Sequence, residues 1–249
     1  GGDQTVNDIR SFPISVRGID IAFSDRYSFS VIDCPSLDIM EDNDLSTLAQ
    51  NFYNDSFVMD QNACTSPHLI IWVGKISESA KNRFWNAVAN IVIQKYPFMA
   101  VKAVDKYTLL CQNAIDLEGI ESFSKHGNYI YRVKLNNLSM DNENYRGKFG
   151  YFFEYDSSDL TQSLNIVNEK YQTLTYFGLD PNNLIKSIID SHTLGIDRIV
   201  PMGRALDIGL IWDGVDIINS LSRVITIDYP INYQPSPERG LKSTVSLSN

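Results

Sequence analysis

Short apolar runs without alternation, set between segments of helical periodicity, constrain this chain more than any other feature. LIIWV (69–73) and YFFEY (151–155) place bulky apolar residues on consecutive positions, as strands covered on both faces do. Apolar, β-branched or aromatic runs at 19–23, 27–32, 69–74, 107–112, 129–135, 150–155, 172–177 and 198–202 are the predicted strands. Helices separate many of them. In 44–57, Leu45, Leu48, Ala49 and Phe52 form an i, i+3, i+4, i+7 stripe, with Asp42 or Asn43 placed to cap the first turn. In 78–95, Ala80, Phe84, Ala87, Val88 and Ile91 do the same behind Ser77. Asp180-Pro181 reads as the cap and first turn of a helix over 181–190, and Leu160, Leu164 and Val167 mark another. The alternation predicts an α/β fold: an open, twisted, largely parallel sheet with flanking helices and right-handed crossovers. Sites in such sheets are expected at loops beyond the carboxyl ends of strands, or at helix starts.

The 249 residues are enough to bury a core without disulfide or metal staples. No repeat or flexible linker interrupts residues 1–225, which are expected to form one unit, whereas 226–249 reads as a polar tail containing Pro230, Pro235 and Pro237. Lys and Arg number 21 against 30 Asp and Glu, a net charge of −9. That balance argues against a nucleic-acid partner or an anionic membrane surface. No apolar run approaches the roughly 20 residues of a membrane span, so a soluble protein is expected. Cys34, Cys64 and Cys111 fit neither a zinc site nor a disulfide framework, and no secretory signal leads the chain, which points to a reducing, cytoplasmic setting. GGDQTV, without an initiator Met, reads as the interior of a longer protein.

The densest loop of small polar residues is MDQNACTSPH at 59–68. Cys64 sits in its middle among Asn62, Thr65 and Ser66, and Pro67 keeps Ser66 out of helical geometry. A thiol in such a loop is open to a substrate and to converging backbone N–H groups. An inert loop cysteine has the same composition, because a nucleophilic thiol needs a cation, a helix N-terminus or amides to ionise it. Cys111 in YTLLCQ and Cys34 after SFSVID read as structural. His68 lies four residues from Cys64 but across Pro67, so helical pairing of the two is not expected. His126 and His192 read as solvent-facing or capping, and no ligand spacing suggests a metal site.

A second unusual segment is GIDRIVPMGRALDIGLIWDG at 195–214, expected to be a strand, a glycine-bearing turn and a buried helix. In it Arg204, after Met202-Gly203, is placed to hold a phosphate or carboxylate bidentately. No glycine-rich phosphate fingerprint is present, and Gly1-Gly2-Asp3 before a helix is a weak one.

Several segments together resemble the LuxC-type acyl-CoA reductases, the fatty-acid reductase component of bacterial bioluminescence and its relatives. They are GGDQTVNDIR (1–10), FSDRYSFSVID (23–33), DQNACTSPHLIIW (60–72), QTLTYFG (172–178) and GIDRIVPMGRALDIGLIWDGVDIINSLSR (195–223), in family order. That family is similar to the aldehyde dehydrogenase superfamily, in which a nucleotide-binding domain precedes a catalytic domain bearing a nucleophilic cysteine. The resemblance implies that 1–225 is the catalytic domain, that 1–15 is the edge of a cofactor domain otherwise outside this sequence, and that Cys64 is the nucleophile.

Two departures stand out. The general-base glutamate of ordinary aldehyde dehydrogenases would fall near 23–28, where this chain reads FSDRYS. Their ribose-binding glutamate precedes Phe-Gly, yet Arg146, Gly147 and Lys148 stand before Phe149-Gly150. The first absence suits an enzyme that exchanges a thioester instead of activating water.

The implied activity is NADPH-dependent conversion of a long-chain acyl-CoA to a fatty aldehyde through a Cys64 acyl-thioester. The Cys64 N–H and donors near Asn62, Thr65 and Ser66 would support the oxyanion, at roughly 3–4 kcal/mol per donor. Arg204 and His68 are further substrate-contact candidates, aromatic residues are available to line an acyl channel, and no cofactor contact is transferred. An acyl-CoA or acyl-protein thioester donor, an acyl-activating protein partner and a homo-oligomer are the expected partners. A non-catalytic scaffold for an acyl-processing complex is the alternative; a thiol acyltransferase or thioesterase would need His68 as base.

Overall fold

The computed structural model describes residues 2–228. Seven strands form the main sheet: β1 (Tyr27–Asp33), β2 (Pro67–Val73), β3 (Ile120–His126), β4 (Ile130–Leu135), β5 (Tyr151–Asp156), β6 (Tyr171–Phe177) and β7 (Arg198–Pro201). Their order is β3-β4-β5-β2-β1-β6-β7, with every neighbouring pair parallel except the β3–β4 hairpin. The helices are α1 (Asp3–Arg10), α2 (Cys34–Asp38), α3 (Asp42–Ser56), α4 (Glu78–Lys95), α5 (Ala100–Asp116), α6 (Leu160–Ser163), α7 (Pro181–Asp190) and α8 (Ile217–Leu221), and a small hairpin pairs β8 (Ile211–Trp212) with β9 (Val215–Asp216).

The unalternating runs behave as central strands. Successive side chains leave opposite faces of a strand, so in YFFEY Phe152 joins one core layer and Phe153 the other. The first layer packs Ile32, Ile70 and Trp72 against Leu48 and Phe52 of α3 and Phe84 and Trp85 of α4. The second gathers Phe29, Val31, Leu69, Ile71 and Leu174 with Leu184 of α7. Glu154, buried in the first layer, accepts the indole N–H groups of Trp72 (2.9 Å) and Trp85 (2.7 Å) and lies 3.6 Å from Arg132, so its charge is compensated. Cap chemistry matches the sequence at α4, where the Ser77 hydroxyl accepts the Ala80 N–H, and at α7, where Asp180 accepts the Asn182 N–H.

Four expectations need correction. Residues 107–112 are helical, inside α5, and Cys111 is exposed there instead of lying in a strand. Residues 19–23 carry no strand pairing and run outside the sheet. β3 was unforeseen: it is an edge strand, largely exposed, joined to β4 by a turn at Gly127. After β7 the chain forms a turn and the β8–β9 hairpin, and the helix that follows, α8, is short and unburied. Cys34 is buried at the start of α2, and burial raises its thiol pKa. The tail expected from 226 lies, from 229 onward, outside the described residues. No described helix is long and apolar enough to cross a membrane.

Candidate active site around Cys64

Because β5, β2 and β1 are adjacent and parallel, the segments that precede them meet at one end of the sheet. Asp25 and Arg26 before β1, the loop 61–64 before β2, and Arg146, Gly147 and Lys148 before β5 enclose a cleft of about 360 Å³, with His68 also on its wall. This is the amino end of the strands, not the carboxyl end where a site was expected. Cys64 is exposed in the cleft.

The loop bearing Cys64 is held by buried polar contacts. Asp60 and Gln61 both adopt left-handed backbone (φ 54° and 60°), which turns the chain sharply out of α3. The Gln61 carboxamide repays that strain: its nitrogen donates to the carbonyls of Pro67 (3.1 Å) and Tyr151 (2.9 Å), and its oxygen accepts the N–H groups of Gly150 (3.1 Å) and Tyr151 (3.0 Å). The Asp60 carboxylate is held by Tyr96 and Lys102. Burial pushes the Asp60 pKa up, but those two hydrogen bonds and the Lys102 charge outweigh it and leave it below the ordinary value. The Ser28 hydroxyl on β1 donates to the Cys64 carbonyl at 2.7 Å.

The residues expected beside Cys64 have separate positions. Asn62 is exposed, and its amide donates to the Asp60 carbonyl at 3.2 Å. Thr65 and Ser66 are buried, and the Ser66 hydroxyl donates to the Asp55 carbonyl at 2.8 Å. His68 shares the cleft wall, but no hydrogen bond joins it to Cys64 among the described residues; its ring stacks on Tyr27 with centroids 5.5 Å apart. Burial, with the Arg146 charge, lowers its pKa to about 3, although a hydrogen bond with the Gly147 backbone opposes this. Its Nδ1 is buried without a hydrogen-bond partner among the described residues. Arg204 is exposed, ion-paired with Asp207 at 2.7 Å, and outside the cleft.

Arg146 reaches Asp25 at 2.8 Å and the Glu143 carbonyl at 2.8 Å, and lies over the Tyr27 ring. Arg26 binds Asp197 and donates to the Glu169 carbonyl at 2.8 Å. Three cations and one carboxylate therefore line the cleft of a chain whose net charge is −9. The large buried aromatic side chains fill the two core layers, and the cleft wall is polar, so an aromatic channel leading to Cys64 is not seen among the described residues.

Ser28, Gln61, Asp25, Arg26 and Lys148 went unrecognised as site residues. For all but Ser28, which lies inside β1, the signal was topology: short polar stretches ahead of strands that turn out to be neighbours. Gly147 is fixed by packing, since a Cβ there would lie 2.4 Å from the Tyr151 Cβ.

A family profile for acyl-CoA reductase (LuxC) matches residues 1–224. No curated protein matches the sequence. Among solved structures, an oxidoreductase from Marinobacter aquaeolei is similar over 81% of this chain and 44% of its own, with 14% identity and a TM-score of 0.51. Aldehyde dehydrogenase 21 from Physcomitrella patens, in complex with succinate, covers 82% of this chain and 44% of its own at 13% identity and a TM-score of 0.49. At such identities the likeness concerns the fold alone, and the chain spans less than half the length of either structure. The match over almost all of the described fold places the chain in the LuxC acyl-CoA reductase family.

Proposed function

We propose that this chain carries the acyl-accepting chemistry of a long-chain acyl-CoA reductase. The Cys64 thiolate attacks the thioester carbonyl of the donor, a bond forms between Sγ and the acyl carbon, and the bond to the CoA sulfur breaks. The CoA thiolate leaves and takes a proton from solvent. Negative charge develops on the carbonyl oxygen during the attack, and the Cys64 N–H together with the cationic rim supplies preorganised stabilisation. With no hydrogen bond to Cys64 and its pKa held near 3, His68 supports neither a hydrolase nor a transferase that relies on it as base.

A reduced nicotinamide cofactor, NADPH in this reading, supplies hydride when bound, turning the acyl-thioester into aldehyde. An acyl-CoA or acyl-protein donor, an acyl-activating partner, a homo-oligomer and a cytoplasmic setting belong to the same proposal.

The observation that carries the reading is an exposed thiol on a loop fixed from four sides, by Ser28, Gln61, Asp60 and Ser66, inside a cationic cleft. The test is release of free CoA from a long-chain acyl-CoA in the absence of reductant. One equivalent per chain, absent in Cys64→Ala, supports the reading. Continuous release, or release that survives the substitution, contradicts it.

A further inference from the structure

Behind the Cys64 cleft lies a second hollow of about 160 Å³, and Arg146, Gly147 and Lys148 line both. The strip 146–148 is thus a ridge between two concavities. On the far side Lys106 reaches up from α5 and donates its ammonium to the carbonyls of Tyr129 and Phe149. It is buried, and no carboxylate lies within ion-pair distance of it among the described residues. Burial, together with the charge of Lys102 one turn away, lowers its pKa to about 7. Lys148 is exposed and has no ion pair or hydrogen bond among the described residues.

Cations gathered without counter-charges repel one another, and a buried one also loses hydration. Arg146 has its carboxylate partner in Asp25, and Asp105 is the acid on the wall of the smaller hollow. Among the described residues neither forms an ion pair with Lys106 or Lys148. A ridge that combines a free surface ammonium, a guanidinium and a buried uncompensated ammonium is suited to a multiply charged oxyanion.

We propose that the ridge Arg146–Gly147–Lys148, backed by Lys106, is a phosphate-binding site that holds the phosphorylated part of a nucleotide-bearing ligand next to Cys64. The proposal draws on the reductase reading only for the source of the phosphate. Coenzyme A and NADPH each carry a diphosphate and a ribose phosphate monoester, so both share the chemistry the ridge recognises.

The test is calorimetric titration of the full chain, without turnover, with coenzyme A, dephospho-coenzyme A, NADPH and NADH. Lys148→Glu should weaken at least one phosphate-bearing ligand by about tenfold or more, while Lys186→Glu on the exposed face of α7 should not. A loss confined to coenzyme A over its dephospho form, or to NADPH over NADH, identifies the monoester and its source; equal losses identify the shared diphosphate. Lys148→Ala should give a smaller loss in the same direction. A parent chain that binds none of the four, or a Lys148→Glu chain that binds as the parent does, overturns the proposal. Acylation is followed separately, by intact mass of the parent chain, so failure of acylation and failure of phosphate binding are distinguished.

Discussion

The Ser28 hydroxyl on β1 donates to the Cys64 carbonyl at 2.7 Å while accepting the Thr173 N–H of β6 at 3.1 Å. One buried oxygen therefore ties the candidate nucleophile to two central strands. The loop is free of regular secondary structure, yet its reactive residue inherits the rigidity of the sheet.

Removing that oxygen leaves the Cys64 carbonyl and the Thr173 N–H without their partner. Ser28→Ala should cost about 1–3 kcal/mol of stability, measured by urea unfolding. It should also slow CoA release more than it slows alkylation of the thiol by iodoacetamide, because orientation toward the acyl carbon is lost and exposure is not. Equal slowing of both would remove Ser28 from the positioning role.

His68 should be a silent neighbour of the thiol. Its folded pKa, held near 3 by burial and Arg146, lies below the ordinary 6.5. The unfolded chain therefore binds the extra proton first, so stability from this group is complete above pH 6.5 and declines as pH falls toward 3. His68→Phe should flatten that decline in urea midpoints between pH 7.5 and 4.5. His68→Gln should leave the pH midpoint of Cys64 alkylation unchanged; a shifted midpoint would reinstate a Cys–His pair.

Asp55 should give the opposite slope. Its carboxylate accepts the N–H groups of Gly203 (2.6 Å) and Ala205 (2.8 Å), but burial dominates and raises its pKa from 3.8 to about 6. Stability from this carboxyl is present below pH 3.8 and lost as pH rises through about 6. The loss is on the order of 2–3 kcal/mol. The stability of Asp55→Asn relative to the parent should accordingly rise, by roughly that amount, from pH 4 to pH 7.5. A gap independent of pH would contradict it. The His68 and Asp55 slopes partly cancel between pH 4 and 6, so each shows clearly only against its own variant.

Glu154 joins Trp72, Trp85 and Arg132 inside one core layer. Glu154→Leu strips two indoles and a guanidinium of their acceptor and should cost about 3–5 kcal/mol. Tryptophan fluorescence during unfolding reports it, and a loss under 1 kcal/mol would mean that the three donors find other partners.

Periodicity revealed the sheet where burial is apolar and failed where it is polar. The face of α5 that meets the core carries Lys102, Lys106 and Asn113, bonded to Asp60, to backbone carbonyls and to the Tyr151 hydroxyl, while Val101 and Val104 point to solvent. Leu109 and Leu110 are the apolar residues of that side, and with polar anchors around them the stripe is broken and YTLLCQ reads as a strand. β3 escaped for the reverse reason: an exposed edge strand needs few apolar residues. The cysteine loop was legible from composition. Its anchors were not, because Gln61 and Ser28 act through backbone atoms up to 145 positions away in sequence.

Acylation of one side chain is the central claim. The chain, incubated with a long-chain acyl-CoA and no reductant, is analysed by intact mass and peptide mapping. One acyl adduct on the peptide containing Cys64, absent in Cys64→Ala, is the predicted result; an unmodified chain, or an adduct carried by Cys111 or a lysine, contradicts it.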